Sequence, residues 1–151
     1  MSAIASFTKL SKTSLDSLRQ AAAQGKFDSF LQQHGKSVAD YAWSGFILAT
    51  VLSYLDEQEI QLMESEHDEL ATFLCETLQA TYFIFTDAHR QAYVGKLAPE
   101  SFSEQELCDY YNEFNATAEP NAGQPMLDGV RSFQQSLSTL DSGSVIVFSV
   151  V

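Results

Sequence analysis

The apolar stretch from Ser37 to Leu55, SVADYAWSGFILATVLSYL, constrains the fold more than any other part of the chain. It contains the only tryptophan, Trp43, and its one charged residue, Asp40, lies near its start. On a helical wheel its apolar side chains leave little polar face, which is typical of a helix enclosed by protein. Ser37 and Asp40 resemble a capping box, so the pattern predicts a buried helix that begins there, with Trp43 in the core.

Both ends of the chain have the composition of β-strands. Ser144 to Val151, SVIVFSVV, is a nearly continuous β-branched run that suits a strand covered on both faces. Its candidate partners are Ile4 to Leu10 and Thr81 to Thr86, and the second of these fits a strand and the end of a helix equally well. We therefore predict an α+β fold, a mostly helical single domain over residues 1–151 with a small sheet formed by the N-terminal and C-terminal strands.

Several helices are predicted from their first turns. An acidic residue follows three positions after Asp56, Ser65 and Ser103, which is the spacing of a capping box or a close variant of one. The first of these starts predicts a short helix through Met63. A further amphipathic helix is predicted over residues 126–140, where apolar side chains alternate at spacings of four and three.

The charge of the chain is strongly negative and unevenly distributed. The formal net charge is -12, with +3 over residues 1–36, -10 over residues 37–89 and -5 over residues 90–151. The middle segment has ten acids and no Lys or Arg. This balance argues against binding to nucleic acid or to an anionic membrane, both of which require a basic surface, and it permits a basic protein partner.

The location is predicted from the start of the chain and from its cysteines. The first residues, MSAIASFTKLSK, lack the charged and long apolar regions of a signal peptide, and no apolar run is long enough for a membrane span. Cys75 and Cys108 lie in apolar helical patterns and do not indicate a disulfide framework. We therefore expect a cytoplasmic protein.

Recognised catalytic and cofactor motifs are absent from the sequence. It contains no phosphate-binding glycine motif, no H-E-x-x-H and no G-x-S-x-G, so we expect no enzymatic activity and no cofactor. The spacing of His67, Cys75, His89 and Cys108 matches no compact zinc pattern, and we expect no metal. The best catalytic-looking group is His89 with Arg90, beside Asp87, although no nucleophile is paired with it. A helix start with a capping Asp87 explains the same residues.

A pattern of spaced residues extends over most of the chain. It consists of Met1, Ile4, Phe7, Leu10-Ser11, Leu15 and Leu18, then Asp40-Tyr-Ala-Trp43-Ser-Gly45-Phe46, and last a helix, Gly143 and an apolar terminal strand. This pattern resembles the YfbM-like family of uncharacterised small bacterial proteins. The chain departs from that family where Ser44 follows Trp43 and where Ile47 occupies a frequent histidine position. The resemblance implies an α+β fold, no established enzymatic activity and, because such proteins occur beside toxin genes, an immunity role.

We therefore predict a non-enzymatic immunity protein of the antitoxin type, which binds a basic bacterial toxin domain through an acidic surface. The residues predicted to bind the partner are Asp56, Glu57, Glu59, Glu64, Glu66, Asp68 and Glu69. The alternatives are a small-molecule-binding or enzymatic domain with a pocket near His89 and Arg90, and a housekeeping protein whose acidity serves only solubility. The oligomeric state is left open.

Overall fold

The structure is a computed structural model that describes residues 3–151. Four strands form one antiparallel sheet in the order β2-β1-β4-β3. The strands are β1 (Ala5–Ser11), β2 (Lys36–Ala39), β3 (Thr81–Thr86) and β4 (Ser144–Val150). The N-terminal and C-terminal strands are neighbours, as the composition of the two chain ends predicts, and the α+β fold is confirmed.

Seven α-helices occur in the described part of the chain, and they cover both faces of the sheet. They are α1 (Leu15–Ala23), α2 (Phe27–His34), α3 (Gly45–Glu57), α4 (Asp68–Leu78), α5 (Asp87–Tyr93), α6 (Glu104–Asn115) and α7 (Gly123–Leu137). Helices α1, α2 and α4 pack on one face, and α3, α6 and α7 pack on the other. We call these the α4 side and the α6 side.

Strand β4 is the centre of the molecule. It pairs with β1 on one edge and with β3 on the other, and all seven of its residues are buried. Its side chains point alternately to the two faces of the sheet, so Phe148 enters the core of the α6 side and Val147 enters that of the α4 side. The apolar run at the end of the chain therefore forms the doubly covered strand that its composition predicts.

The two cores differ in composition. On the α6 side Phe148 lies 5.0 Å from Phe7, 5.4 Å from Phe85 and 5.4 Å from Phe133, measured between ring centroids. The core of the α4 side is mainly aliphatic, with Leu18 and Leu74 fully buried. The α6 side therefore has a cluster of four aromatic rings at the position where α7 crosses the sheet.

The predicted helix over Ser37 to Leu55 is wrong in its first part. Residues Lys36–Ala39 form the edge strand β2, which pairs with β1, and the helix begins only at Gly45. Ser44, rather than Ser37, caps it by accepting a hydrogen bond from the backbone N–H of Phe46. The pairing of β2 with a strand some 30 residues away outweighs the local helical pattern.

Trp43 does not lie in the core. Its side chain is 45% exposed, in the loop before α3, and its indole N–H donates a hydrogen bond to Asp128 Oδ2 at 2.8 Å. The apolar part of α3 that fills the core starts at Leu48 and ends at Leu55. The expectation of a buried Trp43 is therefore wrong, because the residue precedes the helix.

The segment after α3 contains no helix. Helix α3 runs to Glu57, so the predicted start at Asp56 lies in its last turn, and Ile60 and Leu62 pack in the core of the α6 side as extended chain. The start predicted near Ser65 is close to the observed one, since α4 begins at Asp68 and its carboxylate accepts the Ser65 N–H. The ambiguous run from Thr81 to Thr86 is strand β3.

Side chains contact the outer edge of β3 near both of its ends. Tyr82 N–H donates to Cys75 Sγ at 3.2 Å, and the Cys75 thiol donates to the Tyr82 carbonyl. Farther along the strand, Thr86 N–H donates to His89 Nδ1 at 3.0 Å. These contacts shorten the edge to which another strand would add.

Candidate functional site

The seven acids predicted to bind a partner do not form one surface. Asp56 and Glu57 end helix α3, on the α6 side, whereas Asp68 and Glu69 begin helix α4, on the opposite face of the sheet. Glu59 lies in the connecting segment, together with the acids at positions 64 and 66. The acidic run therefore passes around one edge of the sheet and is divided between its two faces.

On the α4 side the acids meet the basic N-terminal segment. Glu66 Oε1 lies 3.5 Å from Lys12 Nζ, and Glu69 Oε1 lies 3.5 Å from Arg19 Nη2. The Arg19 guanidinium also lies 4.3 Å from the centre of the Phe73 ring. Positive residues from a segment some 50 positions earlier thus compensate two acids of this side, Glu66 and Glu69.

Two further acids of the run have local structural contacts. The Asp68 carboxylate accepts the Ser65 N–H at 2.9 Å and lies in the first turn of α4, where the helix dipole favours a negative charge. The backbone carbonyl of Glu64 accepts a hydrogen bond from His89, and its side chain is exposed. Asp68 therefore has a structural role at the start of α4.

On the α6 side Asp128 pairs with Arg131, but the acids near the contact of α3 with α6 have no ion pair among the described residues. Asp56, Glu57 and Glu59 are exposed, and within residues 3–151 no Lys or Arg side chain lies within 4.0 Å of their carboxylates. Helix α6 adds Glu106 and Glu113 to the same region, also exposed and without an ion pair among the described residues. These carboxylates are available to a cationic partner.

Helix α6 aligns two of its glutamates with two aromatic side chains. Positions 106, 110 and 113–114 are separated by four and by three or four residues, and therefore lie on one face of a helix. Glu57 reaches this face from α3, since its charge and that of Glu113 both act on Tyr110. We call Glu57, Glu106, Tyr110, Glu113 and Phe114 the acidic–aromatic face.

The aromatic part of this face is anchored in the core. Tyr110 packs edge to face against buried Tyr54, with ring centroids 5.1 Å apart, and its hydroxyl lies 2.9 Å from Ser53 Oγ. On its other side it stacks on Phe114 at 5.8 Å. Phe114 is 54% exposed and is one of the few large apolar side chains left in water. A rigid aromatic pair is thus presented between carboxylates.

The surroundings of Tyr110 keep its phenol neutral. Burial raises the pKa of Tyr110, the hydrogen bond with Ser53 lowers it, and the negative charges of Glu57 and Glu113 raise it further. Glu106 acts in the same direction on the pKa of Tyr54, after the larger effect of burial. The face therefore combines carboxylate acceptors with neutral hydroxyl groups and exposed ring surface, which are groups that bind Arg and Lys side chains.

The glutamates of α6 were not among the predicted binding residues. They lie about 40 positions after the end of the acidic run, and their own sequence neighbourhood is less acidic. The available signal is their helical spacing with Tyr110, which places acids and an aromatic residue on one face. Their proximity to Glu57 arises only from the packing of α3 against α6.

His89 and Arg90 form structural contacts. His89 is only 5% exposed, its Nδ1 accepts from Thr86 N–H, and its Nε2–H therefore donates to the Glu64 carbonyl at 2.7 Å. Burial lowers the pKa of His89, while the Glu64 carbonyl and Asp68 act in the opposite direction. Arg90 Nε donates to Asp87 Oδ1 at 2.6 Å. Both nitrogens of the imidazole ring are occupied in tying three segments together.

The remaining candidate ligands are dispersed. Within the described residues, no three His, Cys, Asp or Glu side chains converge in a geometry that would hold a metal ion. Cys75 contacts the edge of β3, whereas Cys108 is buried in α6. Over residues 3–151 the helices are too short or too polar for any of them to traverse a lipid bilayer.

Comparisons with protein-family models, curated proteins and solved structures return no match to this chain.

Proposed function

We propose that this chain is a non-enzymatic immunity protein of the antitoxin type, which acts in the cytoplasm and neutralises a basic bacterial toxin domain. The observation that supports this proposal is the acidic–aromatic face, where acids that form no ion pair within residues 3–151 surround the half-buried Tyr110 and the exposed Phe114. The YfbM-like resemblance of the sequence is consistent with the same role. The binding residues now proposed are Glu57, Glu106, Tyr110, Glu113 and Phe114, with Asp56 and Glu59 at the rim.

The charges of this face would act mainly on the rate of association. A surface of one sign attracts a partner of the opposite sign and raises association rates by about 10 to 1,000-fold at low salt. Acids that already have an intramolecular partner, such as Glu66 with Lys12, contribute less to this field. The division of the acidic run between the two sides therefore concentrates the attractive field on the α6 side.

The aromatic residues would act mainly on the rate of dissociation. Tyr residues are frequent anchors of protein interfaces, because a large rigid ring buries much surface and loses little conformational entropy. Tyr110 is already held by Tyr54 and Ser53, so it is preorganised for contact. Phe114 is the more exposed of the two rings and would be covered by the partner.

A capture experiment tests the proposal. Immobilised protein is exposed to lysate of the native cell, the retained protein is identified, and its binding kinetics are measured at low and high salt. We expect one dominant basic protein whose association slows as salt rises. An association rate that does not change with salt would exclude electrostatic steering.

Two triple variants of this chain, tested against the same captured protein, locate its binding surface. Replacing Glu57, Glu106 and Glu113 by Gln is expected to lower the association rate by about 10-fold or more. The matched control replaces three exposed acids of the α4 side, in the variant E66Q/E69Q/E76Q, which changes the net charge by the same amount. The control is expected to change the rate by less than about 2-fold. Equal effects of both variants would show that only total charge matters and would refute the assignment.

A further inference from the structure

An apolar cleft opens on the α6 side, between the first half of α3 and the ends of β3 and β4. Its volume is about 420 Å³. Phe46, Leu52, Met63, Phe83, Phe148 and Val150 form much of its wall. Leu52 and Phe148 are almost fully buried, whereas Phe46 is 54% exposed. The cleft thus reaches from the aromatic core to the solvent.

Among residues 3–151 no charged side chain lines this cleft, and the chain as a whole has a net charge of -12. A charged ligand would lose its hydration here without gaining an ion pair. An anionic ligand would in addition be repelled by the overall charge of the protein. The cleft therefore favours a neutral ligand.

The polar groups of the wall are contributed by Gln79 and Thr81, at the turn between α4 and β3. Gln79 Nε2 donates to the Glu76 carbonyl at 2.6 Å, which fixes the amide and leaves its Oε1 as an acceptor. The backbone of Gln79 is left-handed, with φ of 57°, at a helix end where glycine is the common residue.

We propose that this cleft binds one neutral apolar small molecule that has a hydroxyl or similar donor at one end, of the class of long-chain or terpenoid alcohols. Its size lies within the range of about 300–1,000 Å³ that is common for small-molecule sites, and its wall combines many apolar groups with few polar ones. The hydroxyl would donate to Gln79 Oε1 or Thr81 Oγ1, and the hydrocarbon would cover Phe46. A peptide strand is disfavoured, because Cys75 and His89 contact the edge of β3 near both of its ends.

This site is separate from the acidic–aromatic face. The cleft is lined by residues of α3 up to Leu52, whereas the acidic–aromatic face takes Glu57 from the end of the same helix and its other residues from α6. Binding to the two sites is therefore measurable independently. Loss of one would leave the other intact.

A titration with two matched probes tests the proposal. The protein is titrated with 1-octanol and with octanoate, and methyl and amide chemical shifts are followed by NMR. We expect saturable shifts at Met63, Phe83 and Val150 with octanol, and an affinity at least about 10-fold weaker for octanoate, because no cation lines the cleft. Equal affinities, or shifts spread over the whole molecule, would overturn the proposal.

Replacing either of two alanines by Phe supplies the structural control. Ala49 lines the cleft from an exposed position of α3, so Ala49→Phe fills the cleft without disturbing the core, and octanol affinity should fall by at least about 10-fold. Ala92→Phe, at an exposed position of α5 outside the cleft, should leave the affinity unchanged. Octanol binding that survives Ala49→Phe would overturn the proposal. So would a concentration-dependent dimer abolished by Ala49→Phe, since a second copy would then occupy the cleft.

Discussion

The acids on the two sides of the sheet lie in different surroundings. On the α4 side, Glu66 and Glu69 face Lys12 and Arg19. On the α6 side, Glu57 and Glu113 both lie near Tyr110 and have no ion pair among residues 3–151. Two acids of the α4 side are therefore paired within the chain, whereas the acids around Tyr110 remain exposed and unpaired among the described residues.

This difference shows that a dense run of acids in the sequence does not by itself produce an uncompensated acidic surface in the folded protein. Glu66 and Glu69 belong to the densest acidic run, yet tertiary structure pairs them with a basic segment. Like charges held together without a counter-ion lower the stability of the folded state. A surface that keeps such repulsion and also exposes Phe114 has features that favour binding to another molecule over stability.

The largest expected effect concerns the aromatic core beneath the acidic–aromatic face. Phe148→Ala removes a ring that contacts Phe7, Phe85 and Phe133, and should lower the free energy of unfolding by about 3–5 kcal/mol. Leu74→Ala, the matched truncation on the α4 side, should cost less, within about 2–5 kcal/mol. Urea denaturation measures both. A larger loss for Leu74→Ala would contradict the expectation that the aromatic cluster of the α6 side contributes more to stability than the aliphatic core of the α4 side.

The next effect concerns the segment that joins the two sides. His89→Ala leaves the Thr86 N–H and the Glu64 carbonyl without their partner, and should cost about 1–3 kcal/mol in urea denaturation. An unchanged stability would show that water replaces the imidazole in both hydrogen bonds.

The lowered pKa of His89 also predicts that the stability of the protein depends on pH. The pKa of His89 is lowered in the folded protein, so on acidification the unfolded chain takes up this proton first. Stability from His89 is therefore complete above the ordinary histidine pKa of about 6.5 and falls as the pH decreases toward the folded-state pKa. Urea midpoints measured from neutral to acidic pH should fall more steeply for the wild type than for His89→Ala. Parallel curves would show that His89 is not the titrating group.

The smallest predicted effects are changes in stability that have opposite signs on the two sides of the sheet. Replacing Glu57 and Glu113 by Gln relieves repulsion and should stabilise the protein by a few tenths of a kcal/mol. Replacing Glu66 and Glu69 by Gln removes two exposed ion pairs and should destabilise it by about 0.2–1 kcal/mol for each pair. Both effects should shrink as salt rises. Thermal unfolding at low salt measures the difference, and the same sign for both double variants would remove the distinction between the two sides.

Much of the fold was predictable because its strongest signals are local. The β-branched run of β4, the Ser103 cap of α6 and the apolar spacing of α7 each carry enough information within a few residues. The edge strand β2 was not predictable, since only four residues form it and its stability comes from β1. The wrong expectation for Trp43 followed from that error. Because the helix begins only at Gly45, Trp43 lies in the loop before it.

The candidate site was predictable only in part. The sequence identified Glu57 and its neighbours as acids without nearby bases, which the structure retains on the α6 side. It could not show that Lys12 and Arg19 would neutralise Glu66 and Glu69, because ion pairs between distant segments depend on how helices pack. For the same reason, the glutamates of α6 become part of the surface only when α6 lies against α3.

The most direct test of the difference between the two sides is an NMR titration with an oligoarginine peptide at low salt. Because the described acids around Tyr110 and the exposed Phe114 have no ion pair, we expect shifts concentrated at Glu57, Glu106, Tyr110, Glu113 and Phe114. The E57Q/E106Q/E113Q variant should lose these shifts, and the E66Q/E69Q/E76Q variant should keep them. Shifts centred on Glu66 and Glu69, or distributed evenly over all acids, would contradict the assignment of the α6 side as the binding surface.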